Sequence, residues 1–294
     1  MEKTFSLINS RMFARMFQVD NENGYHEEER TDILVMGLRG NGDVLNGEYL
    51  TDTLMVLSIK TDTNRAALLS IPRDLYVRVP GLGKMEKINF AYAYGVAAYR
   101  DGLELVERTV ERVTGIDIDY AAAVDFTAFM KLIDMVGGVD VSVPHDFVES
   151  AQWGFEFRVP KGMNHMSGET ALYYTRSRYS TSDFDRARRQ QDVMIALGNK
   201  IMNLGVLASP VRLGRMLDAL SEGVDTNIDF ISLLNLVKYT NVVKESDVYR
   251  MVLDDSPDGL LVSGYANSAY VLYPRAGIEN YGEIKDTFRN IFSE

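Results

Sequence analysis

The sequence predicts an α/β domain built on a mixed sheet, and three observations carry that reading. Residues 32–38 and 54–60 are dense apolar runs of strand length, the first followed by a glycine-rich loop and the second by a polar turn. Residues 120–125, 126–136 and 139–143 then read as strand, helix and strand, the order expected where helices pack on a partly parallel sheet. Apolar positions at three- and four-residue steps mark amphipathic helices over residues 102–114 and about 184–204.

In chain order, residues 1–18 place Phe5, Ile8, Met12, Phe13 and Met16 at roughly helical spacing, which predicts a short amphipathic segment. Residues 19–31 are polar and acidic, so 1–31 reads as a segment plus linker and 32–294 as the folded domain. The loop after the first strand, Arg39-Gly40-Asn41-Gly42-Asp43, suits either an anion approached by backbone amides or a flexible turn. It is not a P-loop, because no Gly-Lys-Ser/Thr follows. Residues 65–71 form a third strand and a hairpin with the second. Pro72 interrupts that strand and presents Arg73 and Asp74 at its end. Extended structure resumes over 75–79, and a helix is expected over 87–98. Gly137-Gly138 closes the helix at 126–136. Residues 154–159 read as a hairpin arm and 168–174 as a short helix. Two helical patterns lie within 208–240. Short strands are expected at 248–253, 259–262 and 270–273, and a last helix over 278–292.

The composition narrows the function classes. The chain has 294 residues, a formal net charge of −11, 46% hydrophobic residues and no cysteine. It therefore has material for a core but no disulfide, thiolate metal site or cysteine nucleophile. The acidic balance argues against nucleic acid as a partner. No run reaches the roughly 18–20 apolar residues of a membrane span. His26, His145 and His165 lack metal-ligand spacing, and no Gly-x-Ser-x-Gly elbow is present.

Against that acidic background, residues 175–191 hold five arginines in seventeen positions. If the piece around Arg176 and Arg178 is extended, both guanidiniums point to one side. Ser180-Thr181-Ser182-Asp183 has the form of a helix N-cap, and Arg186, Arg189 and Gln190 follow at helical steps. Cations gathered near a helix start suit a phosphate. The same spacing also suits a solvated helix face with Asp185 and Arg189 as a surface pair. With Arg73 and Lys87 the cationic set favours a phosphate or pyrophosphate. Asp52, Asp74 and Asp183 are the candidate metal-binding or general-base carboxylates.

Taken together, these segments resemble the LytR-CpsA-Psr family of cell-envelope transferases. The resemblance is carried by Thr51-Asp52-Thr53, by residues 69–74 (Leu-Ser-Ile-Pro-Arg-Asp), by Lys87-Ile88-Asn89 with residues 91–95, and by Gly137-Gly138. It continues through Arg176-Ser177-Arg178, Asp183-Phe184, Arg186 and Arg189-Gln190-Gln191, so it spans about residues 32–205. It implies a single α/β/α sandwich with a long apolar pocket for a polyprenyl chain. The implied reaction moves a phosphoglycan from a polyprenyl-pyrophosphate carrier to a peptidoglycan or other wall hydroxyl, at the extracytoplasmic face of the membrane. The rival readings are a polyprenyl-pyrophosphate pyrophosphatase and a non-catalytic lipid-phosphate binder. Carried over by motif, Arg73, Arg178, Arg186 and Gln190 hold phosphate oxygens, with Arg39, Lys87, Arg176 and Arg189 adding to the cationic rim. Asp74 or Asp183 orients an arginine or takes the acceptor's proton, and Asp52 binds Mg²⁺. Two positions depart from the family pattern: Arg39 stands where an acidic residue is common, and Leu50 where an arginine is common. One of two expected acidic ligands is thereby replaced, which weakens the expected hold on Mg²⁺. Residues 1–18 are too short and too polar to act as the family's N-terminal membrane helix.

Overall fold

The computed structural model describes residues 27, 29–40, 47–99, 101–204, 209–240 and 248–293. The amphipathic segment expected over 1–18, most of the linker to 31, His26 and residues 41–43 of the glycine-rich loop lie outside the described residues.

Strands β1 (Arg30–Leu38), β2 (Thr51–Lys60) and β3 (Arg65–Ser70) form an antiparallel meander, with Ile33 opposite Leu57 and Leu57 opposite Leu68. The short hairpin β4 (Tyr76–Arg78) and β5 (Met85–Lys87) follows, then helices α1 (Phe90–Tyr99) and α2 (Gly102–Thr114). Strand β6 (Tyr120–Asp125) runs parallel to β1 and passes directly into α3 (Phe126–Met135). Two ribbons come next: β7 (Val139–Val143) pairs with β10 (Gly162–Met166), and β8 (Phe147–Glu149) pairs with β9 (Phe157–Val159). Helices α4 (Gly168–Arg176), α5 (Asp183–Asn203) and α6 (Pro210–Leu220) precede β11 (Val224–Thr226) and α7 (Phe230–Thr240). Strand β12 (Val248–Val252), the hairpin β13 (Leu261–Ala266) and β14 (Ala269–Pro274), and α8 (Gly282–Arg289) complete the described chain.

The main sheet has the order β11-β6-β1-β2-β3-β12 and mixes parallel with antiparallel pairs, as the strand and helix alternation predicts. Period-two alternation gives it two apolar faces. Leu34, Met36, Val56 and Leu69 pack against Val106 and Val110 of α2 and Phe288 of α8. Met55 and Leu68 face the other way, onto Ile195 of α5. Helices thus cover both faces, the α/β/α arrangement the family resemblance implies. Each such buried aliphatic side chain contributes roughly 1.5–3 kcal/mol.

Three local expectations are corrected. Residues 85–87 form a strand, with Tyr76 opposite Lys87, and α1 begins only at Phe90. The last helix is shorter than 278–292, because Gly277 and Glu279 have φ of 120° and 59°, outside the helical range. The short helix at 168 runs on to Arg176, so that arginine is not in extended chain. The α4 start is close-packed: a Cβ on Gly168 would collide with the Met130 carbonyl of α3.

Helix α5 is the bridge between sheet and site. Ser182 caps it, accepting from the Asp185 N–H, while the Asp185 carboxylate accepts from the Ser182 N–H. Further along, the buried Gln191 amide donates to the Ser70 hydroxyl and the Met251 carbonyl, both at 2.8 Å, and to the Leu68 carbonyl at 3.3 Å. One side chain therefore fastens α5 to β3 and β12.

Candidate active site

The motif segments meet because the main chain joins them. Thr51 N–H donates to the Asn89 carbonyl at 3.2 Å, and Asn89 N–H donates to the Arg73 carbonyl at 3.3 Å. The turn at Pro72 closes with Leu75 N–H on the Pro72 carbonyl. The β1–β2 register shifts between Gly37 and Leu38. A Cβ at Gly37 would stand 3.0 Å from Thr53 Oγ1, so its absence lets the start of β2, with Asp52, lie close.

Asp52, Arg73, Asp74, Lys87, Arg178, Asp183, Arg186 and Gln190 line one open cleft of about 530 Å³. Leu54, Ile71, Phe184, Val252 and Leu272 supply its apolar wall. Arg73 is the hub. Its Nη1 donates to Asp52 Oδ1 at 2.6 Å, its Nη2 lies 3.1 Å from Asp183 Oδ2, and its Nε lies 3.6 Å from Asp74 Oδ2. Lys87 Nζ takes the other Asp74 oxygen at 2.5 Å. Burial opposes the charge on Arg73, but Asp183 and Asp52 outweigh it and hold the guanidinium above its ordinary value.

Arg186 is the opposite case. Its Nη1 reaches Asp183 Oδ1 at 3.0 Å and its Nη2 the Asp52 carbonyl at 3.4 Å. Its Nε is buried without a hydrogen-bond partner. Burial, followed by the neighbouring charge of Arg73, pushes this guanidinium down to about 10. One carboxylate, Asp183, serves two arginines here. Arg178 also lines the cleft and, among the described residues, pairs with no carboxylate.

The loop carrying Arg178 is held by residues that sequence reasoning missed. The buried Glu149 carboxylate accepts from the N–H groups of Ala151, Tyr179 and Ser180, each at 3.0 Å. Gln152 accepts from Arg178 N–H at 2.9 Å and donates to the Arg176 carbonyl at 3.1 Å. Neither residue carried a local signal for this role, since both lie over twenty positions away from the Arg178 loop.

Three expected site residues stand elsewhere. Arg176, the last residue of α4, lies 4.1 Å from the Phe126 ring centre and 5.3 Å from that of Trp153, though its charge still acts on Asp52, Arg39 and Arg178. Arg189 is buried, and neither it nor Arg176 lines the cleft. Its Nε donates to the Tyr174 carbonyl at 2.9 Å, its Nη1 to Thr181 Oγ1 at 3.1 Å, and its Nη2 to the Ser177 carbonyl. Its donors are thus spent on the fold, and Asp185 pairs with Arg188 instead. Arg39 does not line the cleft either, but its Nε donates to Asp52 Oδ2 at 3.0 Å.

Asp52, the residue assigned to Mg²⁺ by motif, therefore has both oxygens on guanidinium groups. Against its burial, Arg73 and Arg39 hold this carboxylate below the usual range. Among the described residues no group of three His, Asp or Glu could hold a metal ion. With both Asp52 oxygens on guanidiniums, these side chains do not fit an Mg²⁺ held by the protein alone.

A model of the LytR_cpsA_psr family matches residues 7–279. The chain belongs to the LytR-CpsA-Psr family. Among its curated relatives is the polyisoprenyl-teichoic acid–peptidoglycan teichoic acid transferase TagU of Bacillus cereus, 32% identical over 224 residues, covering 75% of this chain and 68% of the relative. The Oceanobacillus iheyensis TagU is 34% identical over 216 residues, covering 72% of this chain and 63% of the relative. The crystal structure of B. subtilis TagV superposes with a TM-score of 0.70 at 28% identity, covering 91% of this chain and 99% of that one. A structure of TagT bound to LIIa-WTA gives a TM-score of 0.70 at 23% identity, over 91% of this chain and 92% of that one, which is a likeness of fold.

Proposed function

We propose that this LytR-CpsA-Psr protein is a phosphotransferase that moves a phosphate-linked glycan from a polyisoprenyl-pyrophosphate carrier to a peptidoglycan hydroxyl. The observation that carries the site assignment is the Arg73–Asp183–Arg186 arrangement: two largely buried guanidiniums on one carboxylate, with a buried donor of Arg186 unpartnered. A phosphate oxygen supplies what that arrangement lacks. The transferase names of the TagU relatives supply the reaction class.

In this reading Arg73, Lys87, Arg178, Arg186 and Gln190 hold the pyrophosphate, and the apolar wall from Leu54 to Leu272 receives the first part of the lipid. The longer apolar pocket implied by the family belongs to the same proposal. The acceptor hydroxyl oxygen attacks the phosphorus that bears the glycan. A new phosphorus–oxygen bond forms, the bridging phosphorus–oxygen bond breaks, and polyisoprenyl monophosphate leaves with the bridging oxygen. Asp183 is the more exposed of the two carboxylates expected to take the hydroxyl proton, and phosphate binding on its two arginines frees it to do so. The arginines stabilise the charge that develops on the phosphoryl oxygens. A lipid donor and a wall acceptor place the reaction at the membrane surface, on its extracytoplasmic side. Among the described residues no helix is long and apolar enough to cross a membrane.

The test is release of polyisoprenyl phosphate from a glycan-loaded carrier, with and without peptidoglycan. A glycan–wall adduct is expected only with the acceptor. Arg73→Ala and Arg178→Ala are each expected to abolish or sharply reduce it. Full activity in both variants, or release of phosphate without any adduct, overturns the reading.

A further inference from the structure

Asp52 is bracketed by two cations of different kinds. Arg73, on Oδ1, is also held by Asp74 and Asp183 and belongs to the interior of the cleft. Arg39, on Oδ2, follows the last residue of β1, and among the described residues Asp52 is the one carboxylate paired with it. Its side chain is 45% exposed, so the fold does not need it as a buried strut.

Charge counting gives this pair a meaning. The cleft itself holds four cationic side chains and three carboxylates. Arg39 raises the cations to five, an excess of two positive charges. A pyrophosphate esterified at both ends carries two negative charges, so side chains alone offer enough positive charge, and Arg176 nearby adds to it. An acidic residue at position 39 would remove two units of charge, and one divalent cation would restore them.

We propose, building on the transferase reading, that the Arg39 guanidinium takes the place of a divalent metal ion beside Asp52, so that pyrophosphate binding and transfer proceed without one. Arg39 secures Asp52, Asp52 orients Arg73, and Arg73 meets the phosphate. The cation is covalently part of the chain, so the site's affinity does not follow the metal concentration around it.

The test uses the full chain, a geranylgeranyl-pyrophosphoryl sugar (a pyrophosphate esterified at both ends) as the probe, and titration calorimetry in EDTA and in millimolar MgCl₂. Wild-type affinities are expected to agree within about twofold, whereas a tightening of about tenfold or more by Mg²⁺ overturns the proposal. Arg39→Asp is expected to weaken binding in EDTA by about 100-fold and to regain most of it with Mg²⁺. Arg39→Leu is expected to lose about tenfold and to regain little, since it offers no oxygen ligand. Mn²⁺ electron paramagnetic resonance provides a second readout that needs no lipid. Bound Mn²⁺ is expected in Arg39→Asp and not in the wild type, and equal Mn²⁺ binding by both overturns the proposal. Failure of the wild type to bind the probe in either buffer counts against the transferase reading, and the Mn²⁺ comparison still decides the role of Arg39.

Discussion

Arg186 and Arg189 are three residues apart on one helix, yet they end in opposite surroundings. Arg186 enters the cleft and leans on Asp183, whereas Arg189 is filled by the Tyr174 and Ser177 carbonyls and lies 4.6 Å from the Phe147 ring centre. Arg178 and Arg176 repeat the division, one lining the cleft and the other resting on Phe126 and Trp153. For Arg186 and Arg189 the partner explains the difference. A carboxylate can be exchanged for a phosphate because one anion replaces another. A carbonyl of the backbone cannot be exchanged without leaving it unpaired. Access matters as well: Arg30 is paired with Asp32 at 2.9 Å, but both are buried away from the cleft.

The strongest challenge to this division is Arg73→Ala. Transfer is expected to fall by about 10³-fold or more, with some loss of thermal midpoint because Asp52, Asp74 and Asp183 lose their shared cation. Arg189→Met should spare the site. It is expected to lose about 3 kcal/mol of stability to urea while the folded protein keeps pyrophosphate affinity within about threefold. Wild-type stability with lost binding would place Arg189 in the site after all. Arg178→Ala, with no carboxylate left stranded, is expected to weaken binding about tenfold and to leave stability within about 0.5 kcal/mol. Glu149→Gln should cost about 1–2 kcal/mol by loosening the loop behind Arg178, seen as faster amide exchange at Tyr179 and Ser180.

A test of a different kind concerns the buried pair outside the cleft. Burial pushes the Asp32 carboxyl up to about 6, in spite of Arg30. The folded state therefore binds this proton more tightly than the unfolded chain does. That contribution is complete at low pH and disappears as pH rises from about 4 through about 6. Urea midpoints of the wild type and Asp32→Asn, compared across that window, should diverge with this sign.

Much of the fold was legible because apolar density and period reported it. The runs in β1, β2 and β3 and the alternation through β6, α3 and β7 needed no long-range knowledge. The three-residue strands β5 and β11 were not legible, since so short a piece has no period. The arginines show the same limit in the site. A spacing of two between Arg176 and Arg178 suits an extended chain, but Ser167 starts a helix that runs to Arg176, whose guanidinium rests on Phe126 and Trp153. Arg186 and Arg189 both fit a helical face, yet three steps leave them about 60° apart around the axis. The aromatic and carbonyl partners that retain Arg176 and Arg189 lie on other elements or across the turn before α5, and local spacing does not report them.

The amide of Gln191 has a consequence for selectivity. A slide of α5 by one residue, about 1.5 Å, would break its bonds to two strands at once. The distance between Arg186 on the helix and Arg73 beyond β3 is thereby set as on a calliper with its screw tightened. Such a jaw measures its guest rather than moulding itself to it, and a single phosphate spans less of the gap than two joined ones.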